Sequence, residues 1–134
     1  MILILISYIY RHLHIFLGCF DIYYREHTLG EELEKFDPND PADRENLILK
    51  YCLVRNRTCR HRFLLFKCLE EALQDKSYDF QSLLKYDPEA YSSFPCGWDE
   101  MENTRVFFED IYRLATIEWK EDLQKASLED QSTW

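Results

Sequence analysis

The scarcity of helix-breaking residues constrains the fold of this chain more than any other feature of its sequence. Only three glycines and four prolines interrupt 134 residues, and the long apolar stretches between them repeat at helical spacing. A sheet sandwich would need a turn signal about every 8–12 residues. The sequence therefore predicts a single all-α domain, a small helical bundle with no β domain.

A strong start signal precedes the longest periodic stretch. Asp40 is a good capping residue, Pro41 suits the first helical position, and Asp43 places negative charge at the positive end of the helix dipole. From Pro41 to about Gln74, apolar residues recur at spacings of three, four and seven. These residues are Ile48, Cys52, Cys59, Phe63, Phe66, Leu69 and Leu73. We predict one long central helix of roughly 34 residues, about 50 Å in length, as the spine of the bundle.

Three shorter helices are predicted around this spine. The first covers residues 2–26, with Gly30 in the left-handed conformation that stops many helices. A short helix follows near residues 80–86. The last helix begins at Asp99, because Asp99 and Glu102 resemble a capping box, and it ends near Lys125.

The chain divides by composition into three parts. Residues 1–30 form an apolar N-terminal segment, residues 31–126 the helical bundle domain, and residues 127–134 a loose polar tail. The run Met1–Tyr10 is too short to span a bilayer, which needs about 20 apolar residues, and it lacks the features of a secretory signal. Three interpretations stay open: a buried helix or strand that closes the core, a membrane-associated segment, or a divergent start.

A basic island covers Lys50 to Lys67 in an otherwise acidic protein. The island carries six positive charges and no acid, so the rest of a chain with net charge −9 carries −15. A guanidinium suits a bidentate, partly buried carboxylate, which would belong to this fold or to a neighbouring subunit. The simpler interpretation of Arg55 and Arg57 is a solvated face or an intramolecular salt bridge. The net charge argues against direct nucleic-acid binding.

The sequence offers no pattern typical of catalysis or of a bound cofactor. Five cysteines without a C-x-x-C pair indicate a reduced, cytosolic or nuclear protein in which they pack as small hydrophobes. His12 and His14 diverge on a helix and cannot share a metal. Phosphate loops, nucleophile elbows and zinc-protease motifs do not occur. Four pairs of adjacent acids are interpreted as solvated helix faces: Glu31/Glu32, Glu70/Glu71, Glu109/Asp110 and Glu121/Asp122. We predict no enzyme activity, no metal, no cofactor and no small-molecule substrate.

The run Leu53-Val-Arg-Asn-Arg-Thr-Cys59, followed by an apolar helix, resembles a signature of subunit one of the GINS complex. In that family an Arg-Asn-Arg/Lys-x-Cys run lies in a long central helix. Tyr78 and the acidic, aromatic stretch 100–115 are similar in kind to later features of the family. The resemblance covers roughly residues 44–125, and its one sharp motif is five residues long.

Three departures accompany the resemblance. The charged amino-terminal helix of the family has no counterpart in Met1–Phe20, and His61-Arg62 replace the small and aromatic residues that usually follow the cysteine. The small β-rich carboxy-terminal domain, which the family uses for docking on the helicase, has no counterpart in these residues. The resemblance thus implies tetramer assembly more directly than helicase activation.

Two functional hypotheses follow. In the first, which the resemblance implies, the chain is a nuclear, non-catalytic scaffold subunit of the GINS heterotetramer, bound to the other GINS subunits and to replicative helicase components. In the second, it is an unrelated helical adaptor whose basic island binds an acidic partner, and which associates with membranes through residues 1–20. Candidate residues for a partner interface, or for a polar seam inside the bundle, are Arg55, Asn56, Arg57, Cys59, Arg62, Phe107, Phe108 and Tyr112.

Overall fold

A computed structural model of the chain describes residues 13–54, 57–84, 94, 95 and 97–133, and these residues form helices and no β-strand. The predicted all-α fold is thereby confirmed. The α-helices are α1 (Glu31–Leu33), α2 (Pro41–Leu47), α3 (Cys59–Gln74), α4 (Thr104–Glu118) and α5 (Lys120–Ser127). The chain also forms π-helical segments at Glu26–Gly30 and Ile48–Cys52, and 3-10 helices at Leu13–Phe20, Phe80–Leu84, Trp98–Glu100 and Gln131–Thr133.

The predicted start of α2 is confirmed. Asp40 has an extended backbone, and its carboxylate accepts a hydrogen bond from the Asp43 amide at 3.0 Å. Pro41 occupies the first turn, where its missing N–H costs nothing. Beyond Leu47 the helix widens into the π-helical segment Ile48–Cys52, which ends with the Leu53 amide bonded to the Ile48 carbonyl at 3.0 Å.

The predicted single helix from Pro41 to Gln74 is wrong, because the chain breaks between Cys52 and Cys59. Thr58 is extended (φ −69°, ψ 160°), and its hydroxyl accepts a hydrogen bond from the His61 amide at 3.0 Å. This cap satisfies one of the free amides at the start of a new helix, which makes the interruption locally stable. The bundle therefore has no long central helix over this stretch, and α2 and α3 are separate elements.

The N-terminal part of the described chain lies in the core. Leu13, Phe16, Leu17 and Phe20 are all fully buried. The predicted helix over residues 2–26 is wrong at its carboxyl end, since the 3-10 helix ends at Phe20, and residues 1–12 lie outside the described residues. No helix in the described part of the chain is both long and apolar enough to cross a membrane.

The prediction of a left-handed Gly30 is also wrong. Gly30 has right-handed helical dihedrals (φ −59°, ψ −46°) because the π-helical segment Glu26–Gly30 passes directly into α1. Among the non-glycine residues that the structure describes, the left-handed one is Tyr24, with φ 60°. The chain therefore turns at Tyr24, six residues before the position that composition suggested.

The last predicted helix differs at its start and in its middle. Asp99 lies in the 3-10 helix Trp98–Glu100, and the cap of α4 is Asn103, whose side chain accepts from the Val106 amide at 3.2 Å. The capping-box prediction is wrong because Asn103 caps one turn later. The helix is then interrupted at Trp119 (φ −101°, ψ 10°) and resumes as α5, which ends at Ser127.

The core is a cluster of aromatic rings between the 3-10 helix Leu13–Phe20 and α4. The Phe20 ring centroid lies 5.0 Å from that of Trp98 and 5.8 Å from that of Phe107. Phe80 packs on Phe108 with centroids 4.8 Å apart. Such ring pairs add stabilisation beyond the area they bury. The short helix predicted over residues 80–86 is confirmed over Phe80–Leu84, where it is a 3-10 helix, and residues 85 and 86 lie outside the described residues. This helix places Phe80 in the aromatic cluster.

Trp119 joins the two interruptions of the helical path. Its ring is buried, and its indole N–H donates to the Leu53 carbonyl at 3.2 Å. Leu53 directly follows the π-helical segment Ile48–Cys52, which continues α2. Trp119 lies between α4 and α5. One hydrogen bond thus connects the two interruptions of helical structure, which are 66 residues apart in sequence.

We expect Trp119→Phe to lower the free energy of unfolding by about 1–3 kcal/mol, because the buried Leu53 carbonyl loses its donor. Urea denaturation followed by far-UV circular dichroism measures the change. Trp98→Phe is the matched control: its indole is equally buried but donates no hydrogen bond to a described residue. Equal losses in the two variants would contradict the role assigned to the Trp119 hydrogen bond.

Candidate functional site

Two arginines of the basic island flank Trp119. The guanidinium carbons of Arg57 and Arg62 lie 5.9 Å and 5.3 Å from the centroid of its ring. Both contacts have the geometry of a cation–π interaction, which is strongest with tryptophan. Arg57 also donates to the Cys52 carbonyl at 3.3 Å, where a cation stabilises the carboxyl end of the π-helical segment. We call Arg57, Arg62, Trp119 and Asp122 the arginine–tryptophan junction.

The junction continues into ion pairs with α5 and the residues after it. Arg62 donates to Asp122 at 2.7 Å, and both side chains are half-buried. Arg60 makes a bidentate contact with the Glu129 carboxylate, with both N–O distances at 3.2 Å. The arginines at the start of α3 therefore find carboxylates within this fold, one of the two locations that the sequence allowed.

His61 adds no charge to this cationic region at neutral pH. Partial burial, and to a lesser extent the neighbouring Arg57 charge, lower the pKa of His61 below its ordinary value. The fold therefore favours the neutral imidazole over the charged one. The positive charge at the start of α3 comes from the arginines alone.

The structure brings together only part of the predicted site. Arg57, Cys59 and Arg62 lie close in sequence at the start of α3, with Arg57 and Cys59 half-buried. Phe107 and Phe108 lie in the aromatic core, and Phe107 is twelve residues from Trp119, about 18 Å along a helix. Arg55 and Asn56 lie outside the described residues, so the polar seam assigned to them stays a prediction.

The sequence interpretation missed a buried arginine, Arg44. Its Nε donates to Asp110 Oδ2 at 2.6 Å, and its Nη1 donates to the Pro38 carbonyl at 3.2 Å. This pair ties α2 to α4 inside the bundle, where a charge is tolerated only with partners. The available signal was helical phase: Arg44 lies one turn before Ile48 and so falls on the edge of the apolar stripe.

The prediction that four pairs of adjacent acids form solvated faces is wrong for one member of three pairs, since Glu70, Asp110 and Asp122 are half-buried. Glu32 remains solvated, with 44% of its side chain exposed, although it too has partners. Glu32 binds Tyr51 and Lys50, Glu70 binds Tyr112, Asp110 binds Arg44, and Asp122 binds Arg62. Adjacent residues on a helix point about 100° apart, so one carboxylate of each pair turns towards a neighbouring element. The hydrogen bond from Tyr51, followed by that from Lys50, lowers the pKa of Glu32.

Tyr112 connects α4 to α3. Its ring stacks on Phe66 with centroids 4.7 Å apart, and its hydroxyl donates to Glu70 Oε2 at 2.7 Å. Burial, followed by the hydrogen bond to Glu70, raises the pKa of Tyr112 to about 12. The neutral phenol is therefore the form that the fold stabilises.

A solvent-open cleft of about 420 Å³ lies at the other end of α4, between residues 78–81 and 99–105. Arg105 borders it, with its guanidinium 4.8 Å from the Phe80 ring centroid and hydrogen-bonded to the Asp75 and Tyr78 carbonyls at 2.9 Å and 3.1 Å. Across the described ranges, no three histidine, cysteine, aspartate or glutamate side chains lie close enough to hold a metal ion.

We expect Arg62 and Asp122 to be energetically coupled by about 0.5–1.5 kcal/mol, because both side chains are mostly shielded from water. A double-mutant cycle with Arg62→Met and Asp122→Asn in urea unfolding measures the coupling. The matched cycle with Arg60→Met and Glu129→Gln should give less than about 0.5 kcal/mol, since that pair is more exposed. A coupling energy of zero between Arg62 and Asp122 would show that their ion pair does not stabilise the arginine–tryptophan junction.

We expect Tyr112→Phe to lower the free energy of unfolding by about 0.5–1.5 kcal/mol near pH 8, by removing the hydrogen bond to Glu70. The folded pKa is about 12 against an ordinary value of 10.0. The stabilisation by Tyr112 is therefore complete below pH 10 and is lost as the pH rises towards 12.

Urea unfolding of the wild type and the variant at pH 8, 9, 10 and 11 measures this dependence, and their difference should shrink with pH. Tyr24→Phe, which removes an exposed hydroxyl, is the control and should track the wild type. A difference between wild type and Tyr112→Phe that stays constant up to pH 11 would contradict the assignment.

Comparison with known proteins adds no relative: no protein-family model, curated protein or solved structure matches this chain.

Proposed function

We propose that this chain is a non-catalytic scaffold subunit of a GINS-type heterotetramer, which acts in the nucleus as part of the replicative DNA helicase assembly. The proposal rests on the resemblance of residues 53–59 to the GINS signature and on one structural observation. The arginines in and next to that run make internal contacts around Trp119 and α5. This arrangement supports an architectural role for the motif.

The internal use of these arginines favours assembly with protein over contact with phosphate groups. Arg62 binds Asp122 and Arg60 binds Glu129, so their charges are neutralised by carboxylates of the same chain. The chain as a whole carries a net charge of −9, which repels nucleic acid. Partners of this subunit are therefore expected to be the other GINS subunits and helicase components.

One structural feature departs from the family pattern. The resemblance implies that the Arg-Asn-Arg-x-Cys run lies inside a continuous central helix, whereas here the helical path stops after Cys52 and restarts at Cys59. Arg57 lies in the break and bonds back to the carboxyl end of the preceding segment. Arg57 of the motif therefore supports the connection between the π-helical segment Ile48–Cys52 and α3.

Three exposed apolar side chains lie close in sequence to residues of the junction or to their partners, and we assign them to a surface for a sister subunit. Val54, Ile117 and Leu128 are 65%, 63% and 82% exposed. Val54 directly follows Leu53, whose carbonyl accepts the Trp119 hydrogen bond. Ile117 lies two residues before Trp119, and Leu128 directly precedes Glu129, the ion-pair partner of Arg60. A neighbouring helical subunit would remove these side chains from water.

Co-expression of the full chain with the other three GINS subunits, followed by size-exclusion chromatography with light scattering, tests the proposal. We expect a complex with one copy of each subunit. Ile117→Glu should weaken incorporation at least tenfold, because a carboxylate would be buried at the interface. Tyr24→Asn is the matched control: it removes another exposed large side chain, and asparagine tolerates the left-handed backbone at this position.

One result would overturn the proposal, and a second would overturn only the surface assigned to the sister subunit. A monomeric chain that associates with none of the three subunits would contradict the scaffold function and favour the helical adaptor. Equal incorporation of the wild type and Ile117→Glu would leave subunit membership intact but remove the assigned surface. Circular dichroism of each variant establishes that a loss of binding does not reflect unfolding.

A further inference from the structure

Two buried cysteines share one hydrogen-bond acceptor. The Cys19 thiol donates to the Phe16 carbonyl oxygen at 3.4 Å, and the Cys52 thiol donates to the same oxygen at 3.3 Å. The two sulfur atoms cannot be farther apart than the sum of these distances. Their proximity is a property of the fold, because the residues are 33 positions apart in sequence.

The two thiols belong to elements that pack on each other. Cys19 lies in the 3-10 helix Leu13–Phe20, and Cys52 is the last residue of the π-helical segment Ile48–Cys52. Both side chains are buried, with Cys19 the more accessible at 7% exposure. A disulfide needs its sulfurs about 2.05 Å apart, so the cross-link requires rotation about the Cα–Cβ bonds together with a shift of the 3-10 helix Leu13–Phe20.

We infer that Cys19 and Cys52 form a dithiol pair that a small-molecule disulfide oxidises to an intramolecular cross-link. The inference does not rest on the proposed function, since neither residue belongs to the assigned subunit surface. The cross-link would fasten the N-terminal 3-10 helix to the segment that ends where the helical path breaks. It would make the packing of residues 13–20 dependent on redox conditions.

The chemistry is a thiol–disulfide exchange in two steps, written here for oxidised glutathione. The Cys19 thiolate attacks one glutathione sulfur, forms a mixed disulfide and releases one glutathione thiolate, which takes up the proton that Cys19 lost. The Cys52 thiolate then attacks the Cys19 sulfur and displaces the second glutathione thiolate, which takes up the Cys52 proton. The protein loses two electrons and two protons, and one oxidised glutathione becomes two reduced glutathiones.

The other described cysteines lack this arrangement. Burial raises the pKa of the Cys68 thiol to about 12, so its reactive thiolate is scarce. Cys59 is half-buried at the start of α3, and its sequence neighbours include no second cysteine. Cys59 is expected to stop at a mixed disulfide with glutathione, whereas Cys19 and Cys52 proceed to a cross-link.

The experiment uses the full folded chain incubated with oxidised glutathione, blocked with N-ethylmaleimide and digested with trypsin. The expected product is peptide 12–25 joined to peptide 51–55, two hydrogens lighter than the sum of the two free peptides. It should be the main oxidised form of Cys19. The oxidised chain should melt several degrees higher than the same sample after dithiothreitol, because the cross-link restricts the unfolded chain.

Three variants make the result specific. Cys52→Ser should trap glutathione on Cys19, because the second thiolate is missing, and Cys19→Ser should abolish the cross-link. Cys68→Ser is the matched control and should leave the cross-link unchanged. The inference is overturned if both thiols of the native chain carry N-ethylmaleimide after oxidation, or if the joined peptide appears only in urea. Circular dichroism before digestion establishes that each variant is folded.

Discussion

The hydrogen bond from the Trp119 indole to the Leu53 carbonyl is the contact on which the rest of this bundle depends. Helical structure is interrupted after Cys52 and again at Trp119. An interruption leaves backbone N–H and C=O groups that need hydrogen-bond partners when they are buried. Here the donor at one break satisfies the acceptor at the other. Arg57 and Arg62 then cover the same ring, so the break after Cys52 is stabilised by contacts that a continuous helix could not make.

The two most shielded ion pairs of this acidic protein place an arginine and an aspartate together between helices. Arg44 is buried against Asp110, and Arg62 is shielded against Asp122, while the chain keeps a net charge of −9. Replacing such pairs by apolar residues is often neutral for stability, so their value lies in specifying which helices pair. Arg44 directs α2 to α4, and Arg62 directs α3 to α5, because each guanidinium donates a charge-assisted hydrogen bond to one carboxylate.

Local features could be predicted from the sequence, and long-range ones could not. The cap at Asp40 and the all-helical class follow from residues within a few positions of each other. The break before Cys59 is hidden because the apolar period continues through it, from Ile48 and Cys52 to Cys59 and Phe63. Its stability depends on Trp119, and the buried position of Arg44 depends on Asp110; both partners are 66 residues away. Periodicity reports which face is apolar and carries no information on such partners.

The spacing of these contacts sets the order in which the chain can fold. Three contacts attach α5 and its flanks to the region of residues 53–62, and each closes a loop of 60 to 69 residues. Closing a loop of this length reduces the conformational entropy of the chain before the contact contributes any favourable energy. We therefore expect these contacts to form after the local helices. During synthesis, the Leu53 carbonyl must remain hydrated until Trp119 has left the ribosome. The last third of the protein therefore completes the core of the first half, and these two parts of the chain cannot fold independently of each other.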